Sequence, residues 1–425
     1  MKEFILLIIL VNSTLSTFCQ KDSYFKRVFV DAEYYLLYEE YKDALPLYME
    51  ILKSYPANAN IHYRVGLCYL NLQGEKAKSL PYLEKATSSI TDKYKEGYFT
   101  ETRAPREAFL AYGRALRITG NIAKSLQAFT TYKSMLSPDD KQAGLIADKE
   151  MESVEYAKIM LEKPRNHKIV PVGRNISTRF PEINPLSNSK GDVLIFTSIQ
   201  RFYNAILLSE KQPDFWSNPI SLNSQLLADG PIRTVGISSN GNILILARND
   251  NDDYNLYYSQ FDKAKKTWAP IAKFPKEINT RSWETFGSLS SKGDTLYYSS
   301  NKEGGYGGFD LYYSVKQLAG EWSQPINMGA TINTPFDETS PFITENGGRL
   351  YFCSKGHTTM GGYDIVVSFR DQSGWGKPIN VGYPLNATDD DTFFFPIGDG
   401  NSGYISRVAN DTQGEEDIYF VTLDL

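Results

Sequence analysis

The sequence predicts an α + β multidomain chain in which an α-helical solenoid is followed by an all-β five-bladed propeller. Three observations predict it. Residues 22–163 read as helices with Gly and Pro confined to turns. From Pro164 the texture changes to short β-branched and aromatic runs separated by Gly, Asn, Asp and Ser clusters. Both halves also repeat internally, at the periods expected of stacked supersecondary units.

In the helical half, three units share one pattern. Ala32, Tyr35, Tyr41, Ala44, Tyr48 and Pro56 mark the first; Gly66, Tyr69, Ser79, Leu83 and Ala86 the second; Gly113, Leu116, Ser125, Phe129 and Pro138 the third. The inner stretch repeats as Ala44-Leu45-Pro46-Leu47-Tyr48 and Ser79-Leu80-Pro81-Tyr82-Leu83. Small residues on paired helices permit close approach, and the large ones fill the gap to the next pair. An insertion around Thr91 to Glu107 precedes the third unit. A last helix, capped by Ser137 with Pro138 in its first turn, is expected to cover the open end.

In the β half, Trp-x-x-Pro-Ile occurs at Trp216, Trp322 and Trp375, with a shorter copy at Trp268, at spacings of 52, 54 and 53. A second mark recurs as Asn204-Ala205-Ile206, Asn255-Leu256-Tyr257, Asp310-Leu311-Tyr312, Asp364-Ile365-Val366 and Asp417-Ile418-Tyr419. A turn-and-strand mark starts at Gly191, Gly241, Gly293 and Gly347. Each unit thus holds about four short strands, and five such units suggest a ring of blades. The last blade lacks its Trp-x-x-Pro strand. Residues 168–172, which precede Gly173 as Pro378 to Val381 precede Gly382, are expected to supply it and so to cover an open edge.

The 425 residues are 41% hydrophobic, with 29 Tyr and 23 Phe, enough to bury substantial cores. Lys plus Arg total 45 against 50 Asp plus Glu, and this near-balance disfavours nucleic acid or an anionic membrane as a partner. Lys2, the apolar run Phe4 to Val11 and the small polar stretch after it form the layout of a secretory signal peptide over residues 1–19; the run is too short to span a bilayer. Lipidation of Cys19 is the alternative reading. Cys68 and Cys353 fall in a helix and a strand pattern, which argues against a disulfide framework.

The helical units resemble the tetratricopeptide (TPR) repeat. The blade marks, above all Ser300 to Tyr312, resemble the WD40-like propeller repeat called PD40, found in TolB-type exported proteins. The order of the two behind a signal peptide is similar to the N-terminal part of the PorE family, periplasmic components of the type IX secretion and gliding machinery of Bacteroidota. That resemblance implies a periplasmic or outer-membrane-associated scaffold whose partners are envelope proteins. The OmpA-like domain that follows in that family has no counterpart before Leu425, so peptidoglycan binding is not implied.

No catalytic, cofactor-binding or metal-binding residue is expected, and the chain reads as a non-enzymatic adaptor. The once-per-blade Asp310, Asp364, Asp417, Asn204 and Asn255 suit backbone bonding at blade corners, because chemistry would break such regularity. The four motif tryptophans, Trp216, Trp268, Trp322 and Trp375, suit packing between blades. His62, His167 and His357 fall in different units and suggest no zinc site or His-dependent triad. The acidic turns at Asp250 to Asp253 and Asp389 to Asp391 lack a full calcium-loop spacing. The alternative is a polysaccharide-binding or glycoside-hydrolysing propeller, for which Asp192, Asp294 and Glu284 are candidate carboxylates. Partner binding is assigned to a concave helical face carrying Tyr63, Leu67, Asn71, Leu110, Arg114 and Arg117, the two arginines being suited to an acidic segment. Arg103 and Arg106 lie nearby, and the loops Asn301 to Gly308 and Lys355 to Gly362 form a second candidate surface.

Overall fold

The structure, a computed structural model, describes residues 22–409 and 412–424; the signal-peptide assignment and Cys19 lie outside the described residues. The chain divides into two compact units, Met1–Met151 and Glu152–Leu425. The division falls at the middle of helix α7 (Lys141–Glu162), ahead of the texture change at Pro164.

The helical unit runs as α1 (residues 22–37), α2 (Tyr41–Ser54), α3 (Ala59–Leu70), a 3-10 turn (Lys76–Ser79) leading into α4 (Leu80–Ala86), α5 (Glu107–Ile118) and α6 (Ile122–Ser134), before α7. Its small residues are fixed by contact. A Cβ on Gly66 of α3 would stand 2.5 Å from Leu83 Cγ of α4, and one on Gly113 of α5 would stand 2.4 Å from Phe129 Cε1 of α6. Phe29, Ala32, Ala44, Tyr48 and Val65 fill the first interior. The insertion crosses back over α3, with Asn60 N–H bonded to the Thr102 carbonyl and Phe99 ringed by Phe29 and Tyr55. Helix α7 begins at Lys141 rather than at Pro138. The Asp140 carboxylate accepts the N–H and hydroxyl of Ser137, tying residues 137–140 into a turn, and the Asp140 carbonyl accepts the Gly144 N–H.

The β unit is a five-bladed propeller of antiparallel sheets. Blade one holds β2 (Glu182–Ser187), β3 (Val193–Ile199), β4 (Asn204–Glu210) and β5 (Ile220–Ser221). After a short α8 (Asn223–Leu226), blade two holds β6 (Ile232–Ile237), β7 (Ile243–Asn249), β8 (Tyr254–Asp262), β9 (Thr267–Trp268) and β10 (Ala272–Lys273). Blade three holds β11 (Glu284–Leu289), β12 (Thr295–Ser300), β13 (Asp310–Val315) and β14 (Ile326–Asn327). Blade four holds β15 (Glu338–Ile343), β16 (Arg349–Ser354), β17 (Asp364–Asp371), β18 (Gly374–Trp375) and β19 (Ile379–Asn380). Blade five holds β20 (Phe395–Ile397), β21 (Ser402–Arg407) and β22 (Asp417–Thr422), and its outer strand is β1 (Lys168–Pro171), paired with β22 from Lys168↔Thr422 to Pro171↔Tyr419. The innermost strands β2, β6, β11, β15 and β20 neighbour one another in a closed ring.

The sequence marks have physical roles here. Gly191, Gly241, Gly293 and Gly347 have φ of 68°, 72°, 70° and 68°, the left-handed turn between the first two strands that a side chain would strain. In Trp-x-x-Pro-Ile the Trp bonds the far end of the third strand, the Pro lacks an N–H and interrupts the ladder, and the residues after it resume as the outer strand. Each Trp then faces the preceding blade, as Trp216 does Tyr404 and Trp322 does Phe274.

Candidate functional site

The end of the propeller where inner strands begin is built from recurring polar clamps. Glu182, Glu284 and Glu338 open β2, β11 and β15 and are fully buried. Each accepts the N–H and hydroxyl of a Thr four residues earlier: Thr178 at 3.1 and 2.5 Å, Thr280 at 3.1 and 2.9 Å, Thr334 at 2.8 and 2.7 Å. Ser300 and Ser354 add a third bond in their blades. Burial pushes all three carboxyls up to about 7 against these bonds. Of this set only Glu284 was among the sequence candidates; the signal available was Thr-x-x-x-Glu, repeated in three blades.

The Asp marks bond backbone. Asp310 accepts the N–H groups of Tyr306 and Gly307, Asp364 that of Met360 and Asp417 that of Gln413. Asn204 donates to the Ile232 carbonyl and Asn255 to that of Asp253. The glycine-rich loops are also committed internally. A Cβ on Gly307 would fall 1.8 Å from the Phe336 carbonyl oxygen, and one on Gly361 2.7 Å from that of Thr388, so each loop lies against the next blade's backbone.

The candidate hydrolase carboxylates do not converge. Glu284 is the first residue of β11 while Asp294 lies past its last, a strand length of roughly 17 Å at ~3.3 Å per residue. A glycosidase pair needs about 5–9.5 Å. Asp192 sits at the same end as Asp294, bonded to Asn188, and Asp294 is bonded to Ser290 and Thr295. The axis between the two ends is plugged: Phe286 of blade three meets Phe393 of blade five, not its neighbour in the ring, at 6.2 Å, and Phe342 packs on Phe393 and Phe395 at 5.1 and 5.3 Å. The cavity left at the far mouth, lined by Ser187, Ser239, Ser288 and Glu345, measures about 30 Å³, far below the size of a small-ligand site.

A larger cavity opens between blades two and three. It measures about 680 Å³, within the range that holds small ligands, and Tyr258, Phe274 and Trp322 form its apolar wall while Gln260, Lys276 and Glu321 supply polar groups. Trp322 is partly exposed there, whereas Trp216 and Trp268 are 7% and 5% exposed.

On the helical unit the assigned residues are brought together only in part. Tyr63 and Leu67 of α3 pack with Leu83, Ala111 and Ala115, in the joint between helix pairs. Asn71 is exposed beyond the end of α3 and bonds the Leu67 carbonyl, and Leu110 is partly exposed. Arg114 and Arg117 do converge on an acid, but it is Glu150 of this chain's own α7: Arg114 Nε donates to Oε1 at 2.6 Å and Arg117 to Oε2. The Arg117 side chain is 3% exposed, because α7 packs over the face that an outside segment would have used. Arg106 is likewise bonded to Asp140. What the unit does expose is one face of α1: Val30, Tyr34 and Leu37, with Tyr38 just beyond, are 56–78% exposed, opposite the buried Phe25, Phe29 and Ala32. The spacing i, i+4, i+7 places the first three on one stripe.

Among the described residues no three His, Cys, Asp or Glu are grouped to hold a metal ion. Asp250, at the head of one acidic turn, bonds Arg248, Tyr257 and Lys273. His62, His167 and His357 each meet a backbone carbonyl, of Pro56, Val381 and Ile332. Cys68 and Cys353 are buried free thiols. No helix among the described residues is long and apolar enough to cross a membrane.

No protein-family model matches the chain, and no curated protein matches it in sequence. Among solved structures it is similar to TolB from Acinetobacter baumannii, at 12% identity over 58% of this chain and 56% of that one, with a TM-score of 0.38. It is also similar to an alpha-L-arabinofuranosidase from Lactobacillus brevis, at 12% identity over 60% of this chain and 92% of that one, with a TM-score of 0.39.

Proposed function

We propose that the protein is an exported, non-enzymatic scaffold that holds an envelope protein against its helical unit. The observation that carries this reading is the exposed stripe of α1. Val30, Tyr34 and Leu37 form a contiguous apolar face on a short helix, and Tyr is a residue type favoured at the centre of interfaces. The partner such a stripe fits is an amphipathic helix, which would lay its own apolar positions along it. Export is supported by the signal-peptide layout of residues 1–19, and a periplasmic or outer-membrane place within type IX secretion by the resemblance of the TPR-like helical and PD40-like blade motifs to the PorE family. The absence of enzymatic activity is supported by the engagement of the buried glutamates in Thr and Ser bonds and by the plugged axis.

A photo-reactive residue placed at Leu37 in the native envelope tests the reading. We expect crosslinking to one partner, abolished by Tyr34→Glu and unaffected by an equivalent label at the exposed Leu318 of the propeller. Crosslinks that survive Tyr34→Glu would overturn it. The cavity between blades two and three favours a second reading, a glycan-binding propeller, since an aromatic wall with nearby amide and charged groups suits a sugar's apolar face and hydroxyls. Titration with envelope oligosaccharides, followed by tryptophan fluorescence and repeated on Trp322→Ala, distinguishes it.

A further inference from the structure

Blade two departs from the repeat at the start of its inner strand. Where β2, β11 and β15 open Glu-Ile, Glu-Thr and Glu-Thr, β6 opens Ile232-Arg233. The neighbouring strand departs with it: opposite Ile232 stands Arg248, where Ser198, Ser300 and Ser354 stand opposite the glutamates. Arg248 is accounted for, because Asp250 accepts from its Nε at 2.7 Å. Arg233 has no such partner.

Other interior arginines meet a carboxylate: Arg64 meets Glu33, Arg117 meets Glu150 and Arg407 meets Asp391. The Arg233 guanidinium instead lies 5.3 Å from the Tyr254 ring and 5.1 Å from the Phe286 ring, and its Nε is buried without a hydrogen-bond partner. Among the described residues it makes no ion pair, and burial lowers its pKa with only the Tyr254 phenol acting the other way. The residue as a whole stays partly exposed. Phe286, beneath it, belongs to the aromatic plug of the axis, and Trp283 stacks edge-on against Tyr254 at 5.3 Å. The guanidinium therefore stands near the axis, at the end where the inner strands begin, held by two rings and with its donors uncommitted. A half-buried cation without a counter-charge is costly, and a planar, forked donor of this kind is matched by a carboxylate.

We propose that Arg233 is an anion-binding site that takes a carboxylate presented by a peptide, seated against Tyr254 and Phe286. The site is independent of the α1 stripe, so either can fail without the other. It gives the propeller its own means of gripping a protein ligand, through a group that the blade repeat does not require.

The test titrates the full chain with three probes, following binding heat and intrinsic tryptophan fluorescence, to which Trp283 beside Tyr254 contributes. N-acetyl-tetraglycine carries a terminal carboxylate, N-acetyl-Gly-Gly-Glu-Gly-amide a side-chain carboxylate, and N-acetyl-tetraglycine-amide neither. We expect at least one acid to saturate and the neutral amide not to; whichever acid binds more tightly names the source of the carboxylate. Arg233→Met should weaken that binding at least tenfold while melting at or above the wild-type temperature, because it removes an unpaired buried donor. Arg233→Lys, which keeps the charge but not the fork, should fall between the two. Equal binding of the neutral amide, no binding of either acid, or undiminished binding by Arg233→Met would overturn the proposal. A melting temperature of Arg233→Met several degrees below wild type would do so as well, by making the residue a support of the blade interface.

Discussion

Asn333 holds both backbone groups of Leu311: its Oδ1 accepts the Leu311 N–H at 2.8 Å and its Nδ2 donates to the Leu311 carbonyl at 3.0 Å. Asn279 does the same for Leu256, and Asn386 for Ile365. Each clamp ties the segment leaving one blade to that blade's third strand, and all three asparagines are buried. Asn333→Ala should cost about 2–4 kcal/mol, since it strands a buried N–H and a buried carbonyl. Chemical denaturation of the propeller measures it, and a loss under 1 kcal/mol would mean that water replaces the amide.

Those asparagines show where legibility ends. The Trp and Asp marks stand out in the sequence because each fills the same place in successive blades at a spacing near 53, so the fold class could be read from them. The clamps follow shorter and more varied words, Ile278-Asn279, Ile332-Asn333 and Leu385-Asn386, and the Glu clamp is kept in only three blades. The helical face was misjudged for a different reason. Arg114 and Arg117 carry the spacing of a solvated stripe, and nothing in local periodicity reveals that Glu150, more than thirty residues on, returns to cover them.

That pairing has a pH signature. Burial pushes the Glu150 carboxyl up, but Arg117 and Arg114 outweigh it and hold it below the usual range. A carboxyl with a lowered folded pKa adds stability above its unfolded value and loses it as pH falls through the folded one. The helical unit should therefore weaken in acid, read as loss of far-UV dichroism. Glu150→Gln should flatten that acid limb and lower stability at neutral pH by about 3 kcal/mol, because two cations lose their counter-charge, one of them buried. An unchanged acid limb would show that other carboxylates set it.

The propeller should respond in the opposite sense. Glu338, like Glu182 and Glu284, is raised from 4.5 to about 7 by burial. Between those values the folded chain binds more protons than the unfolded one, so stability falls as pH rises through that window. The effect is on the order of 3 kcal/mol for one fully buried group. Glu338→Gln, whose amide can still meet Thr334 and Ser354, should lessen the fall between pH 4.5 and about 7. A wild-type propeller with flat stability across that window would mean that the Thr and Ser bonds compensate the burial.

Ring closure gives the most direct test of the β unit. β22 is flanked by β21 on one side and β1 on the other, and β1 comes from more than two hundred residues earlier in the chain. Ile169 of β1 packs on the cluster that holds Ile405, Tyr419 and Val421, so the strand contributes side chains as well as a ladder. A chain beginning at Arg174 would leave the edge of β22, Asp417 to Thr422, unpaired along an apolar and aromatic row, which is a template for association between copies. A chain beginning at Glu152 keeps β1 and should be monomeric and soluble. The shorter chain should melt lower and elute as larger species. Adding a synthetic peptide of residues 166–173 should restore both properties, because it returns the missing ladder without restoring the connection. If the two chains behave alike, β22 tolerates an open edge and β1 is an ornament of the last blade; if the shorter chain fails and the peptide does not rescue it, the covalent link to β1 matters more than the strand.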